Sequence, residues 1–391
     1  MLTVPLSLEQ FLPEDGLKGT LVGRAWIPGQ PAGPAVIAIR EDGIYDLSAV
    51  APTMCDLLEA SDPVSLVKRG CTKKIGSVEG LLENSGTARF KADKAYLLAP
   101  CDLQVIKAAG VTFASSLLER VIEEQAKGNP ARAEAVRKQV VALIGENLRT
   151  VKPGSPQAMQ IKEVLVKQGL WSQYLEVGIG PDAEVFTKSP VMSSVGTGAD
   201  VGIHPKSTWN NPEPEIVLAV NSRGETVGAT LGNDVNLRDF EGRSALLLGK
   251  AKDNNASCSI GPYIRLFDPT FSIDDVRSST LNMIVEGQDG FVLRGASSMS
   301  QISRDPLDLV AQTIGKIHQY PDGLMLFLGT MFAPTEDRDQ PGGGFTHKVG
   351  DVVRISCAKL GTLVNRVEHC DQITPWTFGL RALMNHVARC R

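Results

Sequence analysis

The chain has 391 residues, 42% of them hydrophobic and 21% charged, with a formal net charge of −4. This length and apolar content suit a soluble globular protein with room for two domains, and the charge balance gives no footing to a nucleic-acid or membrane-surface partner. No apolar run is long enough to span a bilayer, and the first residues lack the basic start and apolar stretch of a signal peptide, so neither is expected.

In chain order, short apolar runs over 19–22, 35–39 and 42–46 are separated by turn residues and predict strands. A helix is predicted from Thr53, with Met54, Leu57 and Leu58 on one face, and another near residues 77–82. The composition changes near Pro100. This places a boundary between a small α+β unit, residues 1–98, and a large, mainly β unit, residues 99–391. Residues 103–109 predict a core strand ending in glycine. From 115 to 150 the chain becomes helical and charged, broken at Gly128-Asn-Pro130. Leu117, Leu118, Val121 and Ile122 form one apolar stripe, and Val136, Val140, Val141 and Ile144 a second. Both ordinary surface packing and a cap over a cleft fit that pattern. Past a Pro/Gly/Ser-rich stretch, strands are predicted over 217–220, 226–231, 263–266, 282–285 and 291–295. A helix over 305–318, with Pro306 in its first turn, precedes strands at 324–328 and 352–356.

The chemistry concentrates at Glu213-Pro-Glu215, which opens the apolar strand 216–220. Strand residues i and i+2 project from one face, so both carboxylates aim at one point and repel unless a cation or proton separates them. Asp234, reached through a short hairpin at 221–224, is placed to add an oxygen from the neighbouring strand. Three carboxylates without a nearby His or Cys suit a hard divalent ion, Mg²⁺ or Mn²⁺. The competing reading is a solvated strand edge and a turn. The density of Arg238, Asp239, Glu241, Arg243, Lys250, Lys252 and Asp253 just downstream weighs against it. Gly196-Thr-Gly198 lacks the strand–helix context of a dinucleotide loop, and Pro341-Gly-Gly-Gly344 lacks the Lys-Ser/Thr of a P-loop. The five histidines are dispersed, and the seven cysteines form no C-x-x-C pair. Zinc hydrolysis and disulfides therefore lack support, and a reducing, cytoplasmic setting is expected.

Glu213-Pro-Glu215, Gly232-Asn-Asp234, Arg238-Asp239, Gly249-Lys250 and Gly261-Pro262, with Gly329-Thr330 and Gly361-Thr-Leu-Val-Asn365 further on, resemble the fumarylacetoacetate hydrolase superfamily. The resemblance spans roughly residues 100–370 and implies a mixed β roll holding an ion on Glu213, Glu215 and Asp234. It implies further that Arg238, Lys250 and Thr330 contact substrate or metal-bound water, with Ser116 and Ser193 as further candidates to bind the substrate. The family's C–C bond hydrolases carry a water-activating histidine where this chain has Ser116, while Glu119 keeps the neighbouring carboxylate. A serine hydroxyl without an imidazole is a poor base near neutrality. The stretch 110–119 is similar to the sugar-acid dehydratase branch, which implies removal of water from a 2-keto-3-deoxy pentonate, such as the D-xylonate derivative, to give 2,5-dioxopentanoate. In that scheme Glu119, or next Glu123, takes the C3 proton, and Lys250 with Arg238 balances charge. Implied partners are the small sugar acid and further copies of the chain, as a homodimer or homotetramer. A metal-dependent C–C hydrolase or decarboxylase of a β-diketo acid, and an inactive metal-binding scaffold, are the alternatives.

Overall fold

The structure, a computed structural model, describes residues 7–85, 93–127, 151–167, 171–332 and 344–390, together with 91, 129, 132, 137, 334 and 336–341. The second apolar stripe expected in the cap, most of the Gly128-Asn-Pro130 break, the middle of the 341–344 glycine run and the side chain of Glu123 lie outside the described residues.

The chain folds as α+β and mainly β, a mixed roll of the fumarylacetoacetate-hydrolase type. An eleven-stranded sheet packs on a five-stranded one. At the centre of the large sheet, Pro214–Val220 lies between Thr226–Asp234 and Leu324–Phe327, both antiparallel to it. Leu324–Phe327 pairs in parallel with Val105–Gly110, which pairs antiparallel with Glu184–Ser189 at the edge. In the other direction, Thr226–Asp234 pairs with Cys258–Leu266, and that strand joins Leu21–Ile27 from the N-terminal unit. The N-terminal strands are thus stitched edge to edge onto the same sheet.

Pro214–Val220 is buried along its whole length. Ile216, Leu218 and Val220 pack toward the five-stranded sheet with Leu281, Met283, Val285, Val353 and Ile355. Val217 and Ala219 face the opposite core with Ile106, Ala108, Ile260, Met325 and Phe327. A strand covered on both faces reads as an unbroken apolar run, which is why 216–220 shows no alternation.

The helix predicted at Thr53 spans Met54–Leu58, with Thr53 and Asp56 forming a capping box. The one near 77 spans Val78–Ser85. The helix expected over 305–318 spans only Pro306–Thr313, capped by Asp305. It ends because Gly315 follows and the Thr313 hydroxyl turns back to the Leu309 carbonyl, 2.7 Å away. Of the cap, the helix Ala114–Ala126 is defined, and it packs through Leu117 and Val121 against Tyr174, Leu175 and Ile179. Among the described residues no helix is long and apolar enough to cross a membrane, and all seven cysteines are free.

Candidate metal centre and active site

The strand geometry assembles the expected triad. Pro214 pairs with Asn233, so Glu213 and Asp234 face each other across the ladder, and the Asp234 N–H donates to the Glu213 carbonyl at 3.1 Å. Glu215 follows on the Glu213 face. One carboxylate oxygen from each of Glu213, Glu215 and Asp234 lies within 4.8 Å of the other two, and all three residues are buried. Oxygens on opposite sides of a hard divalent ion, bonded at roughly 2.1–2.4 Å, are roughly 4.2–4.8 Å apart, so the spacing fits such an ion.

The surrounding charges are tightly organised. Lys252 Nζ donates to Glu213 Oε2, and to Asp234 Oδ2 at 3.0 Å. Lys188 is fully buried; its Nζ lies 2.7 Å from Asp234 Oδ1 and donates to the Val235 carbonyl at 3.1 Å and to the Lys252 carbonyl. From the cap helix, Arg120 donates to Glu213 Oε1 and lies 2.8 Å from Glu241 Oε2. The Gly329 N–H donates to Glu215 Oε2 at 2.6 Å, from a residue whose φ of +88° suits glycine.

These contacts set the acidities. Burial, aided by Asp234 and Glu213, pushes the Glu215 carboxyl well above the ordinary range. Glu213 is likewise raised by burial, against the pull of Lys252 and Arg120. Burial works to raise Asp234 too, but Lys188 and Lys252 outweigh it and hold this carboxyl low. Burial opposes the charge on Lys252, yet Asp234, Glu213 and Glu241 keep it firmly protonated. Around one small cavity stand Glu184, Glu213, Glu215, Asp234 and Glu241, with Arg120, Lys252 and the adjacent Lys188 as the facing bases. The acids outnumber the bases by two.

That cavity, of about 30 Å³, lies under the cap helix and is also lined by Ala109, Gly110, Val111, Ser116, Phe186, Gly329 and Thr330. Of the residues expected at the site, the triad, Ser116 and Thr330 come together there. Ser116 Oγ donates to the Phe113 carbonyl at 2.9 Å, and Thr330 Oγ1 accepts from the Phe332 N–H at 3.1 Å. The others stand elsewhere. Glu119 is bidentate on Arg137, at 3.0 and 2.7 Å, with Arg238 at 3.4 Å. It does not line the cavity, which corrects its expected place as base. Lys250 is exposed, its ammonium 5.7 Å from the Phe240 ring, and Lys252 occupies the position expected of it. Arg238 is buried behind the site, stacked on Trp209 at 4.3 Å and donating to the Pro334 carbonyl at 3.1 Å. Ser193 lines a separate cavity near Trp26 and Trp376, its hydroxyl donating to the Pro190 carbonyl at 2.7 Å.

Sequence reasoning did not single out Arg120, Glu184, Lys188 or Lys252 as site residues. Glu184 is the most telling. Burial first, then Glu241, pushes its carboxyl up to about 7, against Arg120 and Lys252. Among the described residues its side chain meets no hydrogen-bond or ion-pair partner. No histidine lines the cavity among those residues.

Fold and site together place a buried acidic triad able to bind a metal ion at the heart of a mixed β roll. The chain belongs to the fumarylacetoacetate hydrolase family, whose model "Fumarylacetoacetate (FAA) hydrolase C-terminal" matches residues 164–368. A relative in Haloferax volcanii, named a probable 2-keto-3-deoxyxylonate dehydratase, is 31% identical over 194 residues, 50% of this chain and 63% of the relative. A 2-dehydro-3-deoxy-D-arabinonate dehydratase of Saccharolobus solfataricus is 29% identical over 194 residues, 49% of this chain and 60% of that protein. Each match thus spans less than two thirds of the relative. A solved 2-keto-3-deoxyarabinonate dehydratase in a hexagonal crystal form shares the fold at a TM-score of 0.60 and 19% identity, over 89% of this chain and 99% of that one. A 2-keto-3-deoxy-D-arabinonate dehydratase complexed with magnesium and 2,5-dioxopentanoate shares it at a TM-score of 0.54 and 18% identity, with the same coverage.

Proposed function

We propose that this protein is a divalent-ion-dependent hydro-lyase that removes water from a 2-keto-3-deoxy pentonate to give 2,5-dioxopentanoate. The observation that carries the reading is the buried Glu213–Glu215–Asp234 triad sharing one cavity with Glu184, a carboxyl whose pKa of about 7 suits proton transfer. A magnesium or manganese ion held by the triad would supply an electrophile for the C2 ketone and make the C3 hydrogens acidic. Glu184 takes the C3 proton, because a base works best with a pKa near the operating pH. Lys188 and Lys252 hold the Asp234 carboxyl low, and Lys252 opposes the rise that burial imposes on Glu213. Ser116 and Thr330 offer hydroxyl oxygens toward the substrate. The absence of an imidazole beside Ser116 favours dehydration over hydrolytic C–C cleavage.

A cavity of about 30 Å³ has room for an ion and a water, not for a five-carbon acid. Entry of substrate therefore requires Arg120 to leave Glu213 and Glu241 and the cap helix to move outward. A substrate carboxylate is a natural new partner for that guanidinium.

D-Xylonate and D-arabinonate differ at C2 and C3. A ketone at C2 and loss of the hydroxyl at C3 erase both centres, so the two 2-keto-3-deoxy D-acids are one molecule with a single centre at C4. We take that acid as the substrate, and we take the enzyme to be a cytoplasmic homodimer or homotetramer, to be checked by fractionation of the source cells and by sedimentation of the purified protein.

The function is tested with protein stripped of metal. Added Mg²⁺ or Mn²⁺ is expected to restore 2,5-dioxopentanoate formation from the D-acid in preference to its L-enantiomer, and Glu215→Gln to prevent it. Full activity in excess chelator overturns the metal-dependent scheme, and faster pyruvate release from an acylpyruvate would reassign the enzyme to C–C hydrolysis.

A further inference from the structure

Dehydration needs two proton transfers, one away from C3 and one onto the departing C4 oxygen. Around the cavity almost every ionisable group is already committed. Glu213 and Asp234 are held by lysines, and Glu215 by the Gly329 N–H. Glu241 is paired with Arg120, and a guanidinium does not give up its proton in a protein. Lys252, deprotonated, would leave the buried Glu213 and Asp234 without their shared cation. Glu184 alone among the described lining carboxyls has no partner.

The strand pairing explains where its carboxyl sits. Gly110 is directly opposite Glu184 in the antiparallel ladder. A Cβ at position 110 would collide with Glu184 Oε2 and come within 2.7 Å of its Cδ. Any other residue there would push the carboxyl out of its place. The φ of Gly110 is not in the left-handed region that would favour glycine on backbone grounds, so the vacant side is what the site uses.

The geometry points to a one-carboxyl, syn elimination: Glu184, seated across Gly110, takes the C3 proton and returns it to the C4 oxygen on the same face of the substrate, with Gly110 as its positioning residue. The step balances without a co-reactant. The C3–H electron pair moves toward the C2 carbonyl, and it then forms the C3–C4 double bond as the C4–O bond breaks. The proton held by Glu184 leaves in the water, and the carboxylate is regenerated.

This inference rests on the dehydratase reading, so its test must separate the two. The probe is 2-keto-3,5-dideoxypentonate, stereospecifically deuterated at C3, with wild-type protein and Mg²⁺. Its unsaturated product cannot proceed to an aldehyde, so the double-bond geometry stays readable by proton coupling. The hydrogen lost and the bond geometry together report the course. Syn loss is expected. Anti loss overturns the one-carboxyl proposal while leaving the dehydratase reading intact, whereas no dehydration of either this acid or 2-keto-3-deoxy-D-xylonate overturns both. Gly110→Ala adds an independent readout. It is expected to lower kcat roughly a hundred-fold, as a misplacement of about 1 Å does, and to displace the limb of the kcat–pH profile near 7, with KM and calorimetric Mg²⁺ affinity close to wild type. An unchanged kcat and pH profile would remove the positioning role.

Discussion

Glu184→Gln separates what the site needs from what the fold prefers. The Glu184 carboxyl is pushed from 4.5 up to about 7, chiefly by burial and then by Glu241. Across that window the folded protein keeps a proton that the unfolded chain has released. Stability therefore falls as pH rises from the unfolded value through the folded one. At 1.36 kcal/mol per unit, the full penalty is about 3 kcal/mol by pH 8 and under about 1 kcal/mol at pH 5. Glutamine keeps the shape and does not titrate. Glu184→Gln is thus expected to be more stable than the parent by about 3 kcal/mol at pH 8 and to match it within about 1 kcal/mol at pH 5. Urea unfolding in chelator at both pH values measures the difference. Activity with Mg²⁺ should move the other way, falling at least about a hundred-fold, the lower range of general-base contributions. Stability gained where activity is lost is the signature of a strained functional group. A stability difference that is the same at pH 5 and pH 8, or a variant with near-normal kcat, would refute the reasoning.

Lys252→Met removes the cation shared by Glu213 and Asp234. In chelator it is expected to cost up to about 3–5 kcal/mol, the penalty for removing one partner of a buried ion pair, with Arg120 and Lys188 still on Glu213 and Asp234, and saturating Mg²⁺ should recover part of it; a loss under about 1 kcal/mol would count against the network. Mg²⁺ at roughly a hundred times its Kd should stabilise the wild type by about 2.7 kcal/mol, read as a rise in Tm, and Asp234→Asn should abolish the rise. Gly329→Ala places a Cβ against Thr112 Oγ1 at a φ of +88° and disturbs the donor to Glu215. It should lose about 1–3 kcal/mol of stability together with Mg²⁺ affinity by calorimetry; an affinity equal to the parent's would show that the Gly329 N–H is not needed to orient Glu215.

The triad was legible because it is local. Two carboxylates at i and i+2 on a strand share a face whatever the surroundings, and a short hairpin brings the next strand alongside. The flanking apolar run likewise marked a fully buried strand. The bases were harder, because a helix rotates each residue by about 100° relative to its neighbour. On the cap helix, Ser116 and Arg120, four apart, face the cavity, while Glu119 turns to Arg137 and Arg238. On Leu248–Lys252 the same rotation sends Lys250 outward and Lys252 inward. Glu184 gave no local sign at all. Its neighbours in sequence are ordinary for an edge strand, and what distinguishes it is a glycine on another strand and a burial set by several elements.

The sequence by itself carried the resemblance that implies the family and its mixed β architecture, and it placed the carboxylates that suit a divalent ion, the last because residue type at fixed short spacing decides it. Only the tertiary structure decided which lysine reaches Glu213 and Asp234, which arginine lies over the triad, and which lining glutamate has no partner among the described residues. Those answers depend on helix phase, on strand partners distant in sequence and on the low dielectric that burial creates, none of which is encoded at any single position.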